Sequence, residues 1–271
     1  MTKLLSFFLI FIFTIILTCV SGENDDSSDK SYFPQNRKQK VFLKKNDNVI
    51  CGGVLLSSSL VLTTVSCMGG EALTQGVAKD YPNNSTHHYN THQSNMITVS
   101  WNSKIYDVKW IESHSFVRRV GSGIRNPVDG LAILKLEKEI TLKTVNKQKD
   151  SQQVFPYFAH ISHDSILNEE FIQLMDSSSY VLNGEIIAFK INHGEICKGA
   201  TDDHDHDRLC GIYMGEKNKE CRIYPGDPVF NARYELIGIT ESFYNCKYEA
   251  VPFTFINLSP HLFWIHEYFS E

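Results

Sequence analysis

The run Cys51-Gly52-Gly53-Val54-Leu55-Leu56-Ser57-Ser58-Ser59-Leu60-Val61-Leu62-Thr63-Thr64-Val65-Ser66-Cys67 constrains this chain more than any other stretch. It is hydrophobic and hairpin-like, with a cysteine at each end. Comparable segments recur along the sequence. Lys40 to Leu43 followed by Asn46-Asp47-Asn48 and Val49-Ile50 reads as strand, turn, strand. Met96 to Val99, Ile105 to Ile111, Leu131 to Leu136, Val154 to Ile161, Phe171 to Met175, Glu185 to Ile191, Glu235 to Ile239 and Pro252 to Phe255 are further candidate strands. Many short strands between Gly, Asn and Pro turns, with almost no helical periodicity, argue for a closed all-β architecture. The polar stretch up to about Ser94, with Pro82 and several Asn and His residues, reads as a loop.

Both ends of the chain differ from this middle. Lys3, the apolar run Leu4 to Val20 and the small pair Ser21-Gly22 have the layout of a secretory signal peptide, residues 1–22. The alternative, an uncleaved anchor, sits at the short edge of the about 17–25 residues that span a bilayer, and no basic cluster follows the run. Residues 23–39 are charged and polar and read as a flexible leader. The expected product is a secreted, extracellular protein with no membrane attachment after signal cleavage. At the other end, Ser259 is a candidate N-cap and Pro260 a first helical residue for a helix over 259–269. Leu262, Ile265 and Phe269 would share its apolar face, widened by Phe263 and Trp264. A net charge of −5 with no basic stripe gives no reason to expect a nucleic-acid partner.

Three blocks together resemble the chymotrypsin-like (S1 family) serine proteases. Cys51 to Cys67 is similar to their C-G-G-S-L-I-S-x-x-W-V-L-T-A-A-H-C, Leu131 to Leu136 to D-I-A-L-L-K-L, and Cys221-Arg222-Ile223-Tyr224-Pro225-Gly226-Asp227-Pro228 to C-Q-G-D-S-G-G-P. A closing helix with Trp264-Ile265 is a further likeness. The resemblance, from about Lys40 to the end, implies two packed six-stranded antiparallel β-barrels, about 40–150 and 151–257, and a C-terminal helix. Once Cys19 leaves with the signal peptide, six cysteines remain, an even number that favours disulfides in a secreted chain. The family layout implies the pairs Cys51–Cys67, Cys197–Cys210 and Cys221–Cys246.

The same alignment implies that catalysis has been lost. Ser66 stands at the position of the histidine base, and serine takes no proton near neutral pH. Gly130 stands at the position of the orienting aspartate; Asp129 is one residue early, on the other face of a strand. Pro225 replaces the nucleophile and removes a backbone N–H of the oxyanion hole with it. Ile223 replaces the glycine that supplies the other donor. Tyr224 replaces the aspartate that pairs with the new amine after activation, and the leader carries no R-I-V-G-G-like activation site. Lys219 falls at the base of the specificity pocket, Glu241-Ser242-Phe243 along its wall, and Phe253 where a glycine leaves room, so a filled or distorted pocket is expected.

The resemblance therefore implies a secreted protease homologue that acts by binding extracellular proteins, a protease or an inhibitor among them, as adaptor, decoy or regulator. By association, the short leader and diverged triad suggest an insect extracellular fluid such as haemolymph or a reproductive-tract secretion. No cofactor is expected. Two other readings stand beside it: a serine endopeptidase with residual or non-standard activity, and a metal-binding protein using Asp202 to Asp207, in which His204 and His206 are the candidate ligands. Asn83 or Asn84, in the overlapping Asn83-Asn84-Ser85-Thr86, is a candidate glycosylation acceptor, expected in an exposed loop.

Overall fold

The fold is known from a computed structural model, which describes residues 39–68, 77–81, 84–89, 97–115, 119–120, 123–124, 130–141, 158–164, 171–175, 186–191, 208–215, 220–247 and 252–269. All of them belong to one unit, Gln35–Glu271. The signal segment, the leader up to residue 38, Asp129, Cys197, the Asp202–Asp207 loop and Lys219 lie outside the described residues.

Ten strands come first: β1 (Lys40–Lys45), β2 (Asn48–Leu55), β3 (Leu60–Thr64), β4 (Val77–Tyr81), β5 (Asn84–Tyr89), β6 (Thr98–Trp101), β7 (Lys104–Ser115), β8 (Arg119–Val120), β9 (Gly123–Ile124) and β10 (Gly130–Leu136). Antiparallel pairings run β1–β2–β3–β10–β7–β6 and back to β1, closing a six-stranded barrel. Six more strands, β11 (Phe171–Met175), β12 (Ile186–Ile191), β13 (Arg208–Tyr213), β14 (Pro228–Asn231), β15 (Leu236–Thr240) and β16 (Phe253–Asn257), close a second antiparallel barrel in the order β11-β12-β13-β16-β15-β14. Two turns in the first barrel follow directly from their residues. Asn46-Asp47 and Asn102-Ser103 each hold two successive positive φ angles, 50° and 62° then 48° and 62°. That is the primed geometry whose twist suits a two-residue hairpin.

Strand alternation explains how the barrels pack. Val61 on β3 and Ala132, Leu134 and Leu136 on β10 point into the first barrel. Their neighbours Leu60, Leu62, Leu131 and Ile133 point out, into a shared cluster with Phe230, Leu236, Ile239 and Ile256 of the second barrel. A strand buried on both faces has to read as a continuous apolar run, and β3 and β10 do. Phe189, Phe253 and Phe255 lead the second barrel's interior.

Several expectations need correction. The polar stretch before Ser94 contains a hairpin, β4–β5, added to β7 through the Thr86–His114 register; Asn84 is therefore the first residue of a strand, and Asn83 beside it lies outside the described residues. The hairpin's sequence is largely polar, and strand formation depends more on context than on composition, which concealed it. The strand expected over Val154 to Ile161 is, in its described part, irregular, with only Ile161 bridging to Leu236. The closing helix is shorter than expected: Ser259–His261 form a 3-10 turn and α1 spans Leu262–Glu267. Ser259 does not cap, the N-cap position being Leu258 with no side-chain hydrogen bond. Trp264 and Ile265 are buried, whereas Phe263 and Phe269 are exposed. Phe269 lies beyond the last helical residue, so the i+7 spacing no longer governs where it points.

One ion pair fastens the start of the first barrel to the second. Lys40 Nζ lies 2.9 Å from Asp227 Oδ2, with side-chain exposures of 3% and 0%. Gly52 sits directly against this carboxylate, where a Cβ would overlap Asp227. Gln39, which the sequence places in the leader, is buried as well, its amide donating to Phe158 O at 3.0 Å. Removing one partner of a buried pair strands the other charge, which typically costs about 3–5 kcal/mol. Lys40→Met and Asp227→Asn should each lower the unfolding free energy by an amount in that range in urea titrations. The double variant should lose clearly less than the sum.

Candidate functional site

The positions that resemble a catalytic triad converge where the barrels meet. A 3-10 turn, Val65–Met68, follows β3 and is tied to β2 by the Cys51–Cys67 disulfide. Gly130 opens β10, buried and opposite Ser115, and the next residue, Leu131, pairs with Thr64. The turn 224–227 approaches from the second barrel, with Pro225 O 3.5 Å from Cys67 Sγ. Ser66, Gly130 and Pro225 thus belong to one junction.

What the junction offers chemically is small. Ser66 is exposed, and its hydroxyl is 2.8 Å from the Thr64 hydroxyl, a group as poor a base as itself. Gly130 and Pro225 carry no proton-transferring side chain.

The turn also directs its backbone donors inward. Ile223, fully buried, donates its N–H to Tyr244 O at 2.9 Å. Tyr224 N donates to Asp227 Oδ2 at 2.9 Å. Pro225 has no N–H. Gly226 N donates to Thr240 O at 2.8 Å, and Asp227 N to Tyr224 O at 3.1 Å. Every amide from 223 to 227 is therefore either missing or bonded to the protein. The opposite side of the turn is held from the first barrel: Gly52 N donates to Pro225 O at 2.8 Å, and Thr63 Oγ1 donates to Gly52 O at 2.8 Å. Gly226 has φ +86°, and a Cβ there would overlap Gly52 O and Thr63 Oγ1, so both backbone conformation and space demand glycine.

Of the positions that the resemblance places around a pocket, some are buried in packing and others face solvent. Phe253 is buried against Phe189 at 4.5 Å between ring centroids, stacked on Phe255 at 5.5 Å and edge-on to Tyr244 at 6.0 Å. Gly211 provides the flat floor beneath its ring. Glu241 is engaged by Arg208, whose Nε and Nη2 both lie 2.8 Å from Oε1. Ser242 is exposed, and Phe243, 53% exposed, meets Tyr224 edge-on at 5.7 Å. The Cys221–Cys246 disulfide joins the turn's strand to this wall. Cys210 is disulfide-bonded too, but Cys197, its expected partner, lies outside the described residues.

The metal reading has no support among the described residues, where no group of three or more His, Cys, Asp or Glu side chains gathers. His163 and His266 form a surface pair 5.4 Å apart, two ligands at most. His204, His206 and Lys219 lie outside the described residues.

Sequence reasoning passed over Lys40 and Asp227. Asp227 was aligned as a mere substituted glycine. The detectable signal was a lysine at the head of an apolar strand together with a new carboxylate in an otherwise uncharged turn.

This closed pair of barrels, with a cleft-side turn between two cystines, defines a trypsin-like, chymotrypsin-type fold. Similar solved structures include two of kallikrein-related peptidase 10, one of them a complex with Zn2+ (TM-score 0.57, 13% identity, 88% of this chain and 98% of that chain covered in each). Neuropsin, a serine protease expressed in the limbic system of mouse brain, is similar at TM-score 0.52 and 14% identity, over 87% of this chain and 96% of its own. No protein-family model and no curated protein sequence matches the chain.

Truncating a buried phenylalanine costs about 3–5 kcal/mol through lost transfer energy and the cavity left behind. Phe253→Ala should therefore lower stability by that amount in denaturant unfolding. Gly226→Ala, which adds one methyl group against backbone at a positive φ, should also be destabilising, by at least about 1 kcal/mol.

Proposed function

We propose that this protein is a non-catalytic protease homologue that works by binding other extracellular proteins. The observation that carries this reading is the inward commitment of the 223–227 amides. Acyl transfer needs N–H donors aimed at the position of a developing oxyanion, and each missing donor costs about a hundred- to a thousandfold. Here one donor is absent and its neighbours are bonded to Tyr244, Asp227, Thr240 and Tyr224. The nucleophile and base positions, Pro225 and Ser66, add a second and independent loss.

A binding role also fits what is retained. The disulfides hold the barrels' cleft-side loops, while the pocket is occupied by Phe253 and the Arg208–Glu241 pair. A partner would then meet an outer surface, Tyr224, Phe243 and Ser242, rather than feed a side chain into a pocket. Disulfides and the signal-like N-terminus support secretion; among the described residues no helix is long and apolar enough to cross a membrane.

The purified protein, before and after limited trypsin nicking, should neither react with a serine-directed phosphonate nor cleave a broad peptide library. Restoring the residues alone should not restore activity: Ser66→His with Gly130→Asp and Pro225→Ser gives back one backbone N–H at 225 but should remain unlabelled, because the Ile223 N–H is still bonded to Tyr244 O. Phosphonate labelling that disappears in Ser66→Ala would establish a serine hydrolase instead.

A further inference from the structure

The C-terminal helix is docked by an aromatic and imidazole seam for which the reading above has no use. On β7, residues of one parity, Trp110, Glu112 and His114, face the C-terminal segment. Trp110 meets Tyr268 at 5.9 Å between ring centroids, and Tyr268 meets Trp264 edge-on at 5.6 Å. His114 lies 4.8 Å from Trp264 and 5.5 Å from His261. His114, His261, Glu112 and Trp264 are each 5% exposed or less. The strands beside β7 add mainly apolar neighbours: Leu131 and Ile133 of β10 pair with His114 and Glu112. Thr86 and His88 of β5 occupy the corresponding register positions on the other side. Lys135 pairs with Trp110 one step further along.

We propose that this seam is an acid-operated latch: protonation of His114 and His261 releases α1 from the first barrel and uncovers the apolar surface around Trp110 and Leu131. Two imidazoles in van der Waals reach of each other, out of water, cannot both carry charge without repulsion and lost hydration. Burial holds His114 down to about 4, against the opposing pull of a backbone hydrogen bond and the Glu112 carboxylate. Burial, and then the neighbouring His114, hold His261 down to about 3. Released side chains titrate near 6.5. The docked state is thus fully favoured above about pH 6.5, and its advantage falls as pH drops toward 4. Two units below 6.5, linkage weakens docking by roughly a hundredfold for each imidazole. Glu112 is the one carboxylate facing His114 from its own strand, and it moderates the effect. The helix is the element that yields because only the edge of the structure, not a barrel ring, has to open.

The sequence contains three tryptophans, and two of them, Trp110 and Trp264, line the seam, while Trp101 lies inside the first barrel. Intrinsic fluorescence of the full chain, titrated from pH 7.5 to 4, should show a reversible red shift with a midpoint between 6.5 and 4 while the far-UV β signal persists. The double variant His114→Phe, His261→Phe should lose that transition. Glu112→Gln, a milder change should the double variant not fold, should move the midpoint to higher pH, because without that carboxylate the docked His114 is held down further and acid weakens docking more. A midpoint unchanged in either variant would overturn the latch. So would a red shift that coincides with complete loss of β structure, since global unfolding would then account for it.

Discussion

The Lys40–Asp227 pair is the constraint on which the junction between the barrels depends. Its carboxylate performs two tasks with one oxygen, accepting from the Lys40 ammonium and from Tyr224 N, both at 2.9 Å. The first task fixes the beginning of β1 against the second barrel; the second folds the 224–227 turn back upon itself. Gly52 has no side chain because the carboxylate occupies that space, and Gly226 takes its left-handed conformation to pass Gly52 O. A buried ion pair is rarely a net source of stability over an apolar substitute. Its role in this chain is better read as specifying the arrangement, since moving the barrels apart would leave both buried charges unpaired.

Once that turn is fixed, the proposed lack of catalysis and the retention of fold both trace to the same contacts. The amides bonded to Tyr244, Thr240, Asp227 and Tyr224 keep the turn rigid, and rigidity of that kind leaves no donors for a substrate. Phe253 acts similarly, completing the aromatic interior of the second barrel in the volume that the resemblance assigns to a pocket. Space and donors that an enzyme would reserve for a ligand are used here for internal packing.

Much of this was legible in the residues. The apolar runs at Leu60–Leu62 and Leu131–Leu134 marked strands buried on two faces, and two-barrel packing is the reason they are. Asn46-Asp47 marked its hairpin because few residue types tolerate two successive positive φ angles. The β4–β5 hairpin was not legible, since its largely polar residues carry no clear apolar period. The helix was overextended because Phe269 continued its spacing beyond α1, where Tyr268 and Phe269 bond back three residues rather than four. At the junction, the alignment drew attention to Ser66, Gly130 and Pro225, which the fold brings near one another. It could not find Lys40 and Asp227, a contact between residues far apart in sequence whose partners are both unexpected.

Native-state amide hydrogen exchange across 223–227 tests the central claim most directly. If these donors are committed to the fold, the amides of Ile223, Tyr224, Gly226 and Asp227 should exchange only through large-scale unfolding, as slowly as the barrel strands, and a peptide boronate should leave their rates unchanged. Rapid exchange at Ile223 and Gly226 that a boronate suppresses would contradict the account, because it would mean that the donors are free and that an oxyanion site exists.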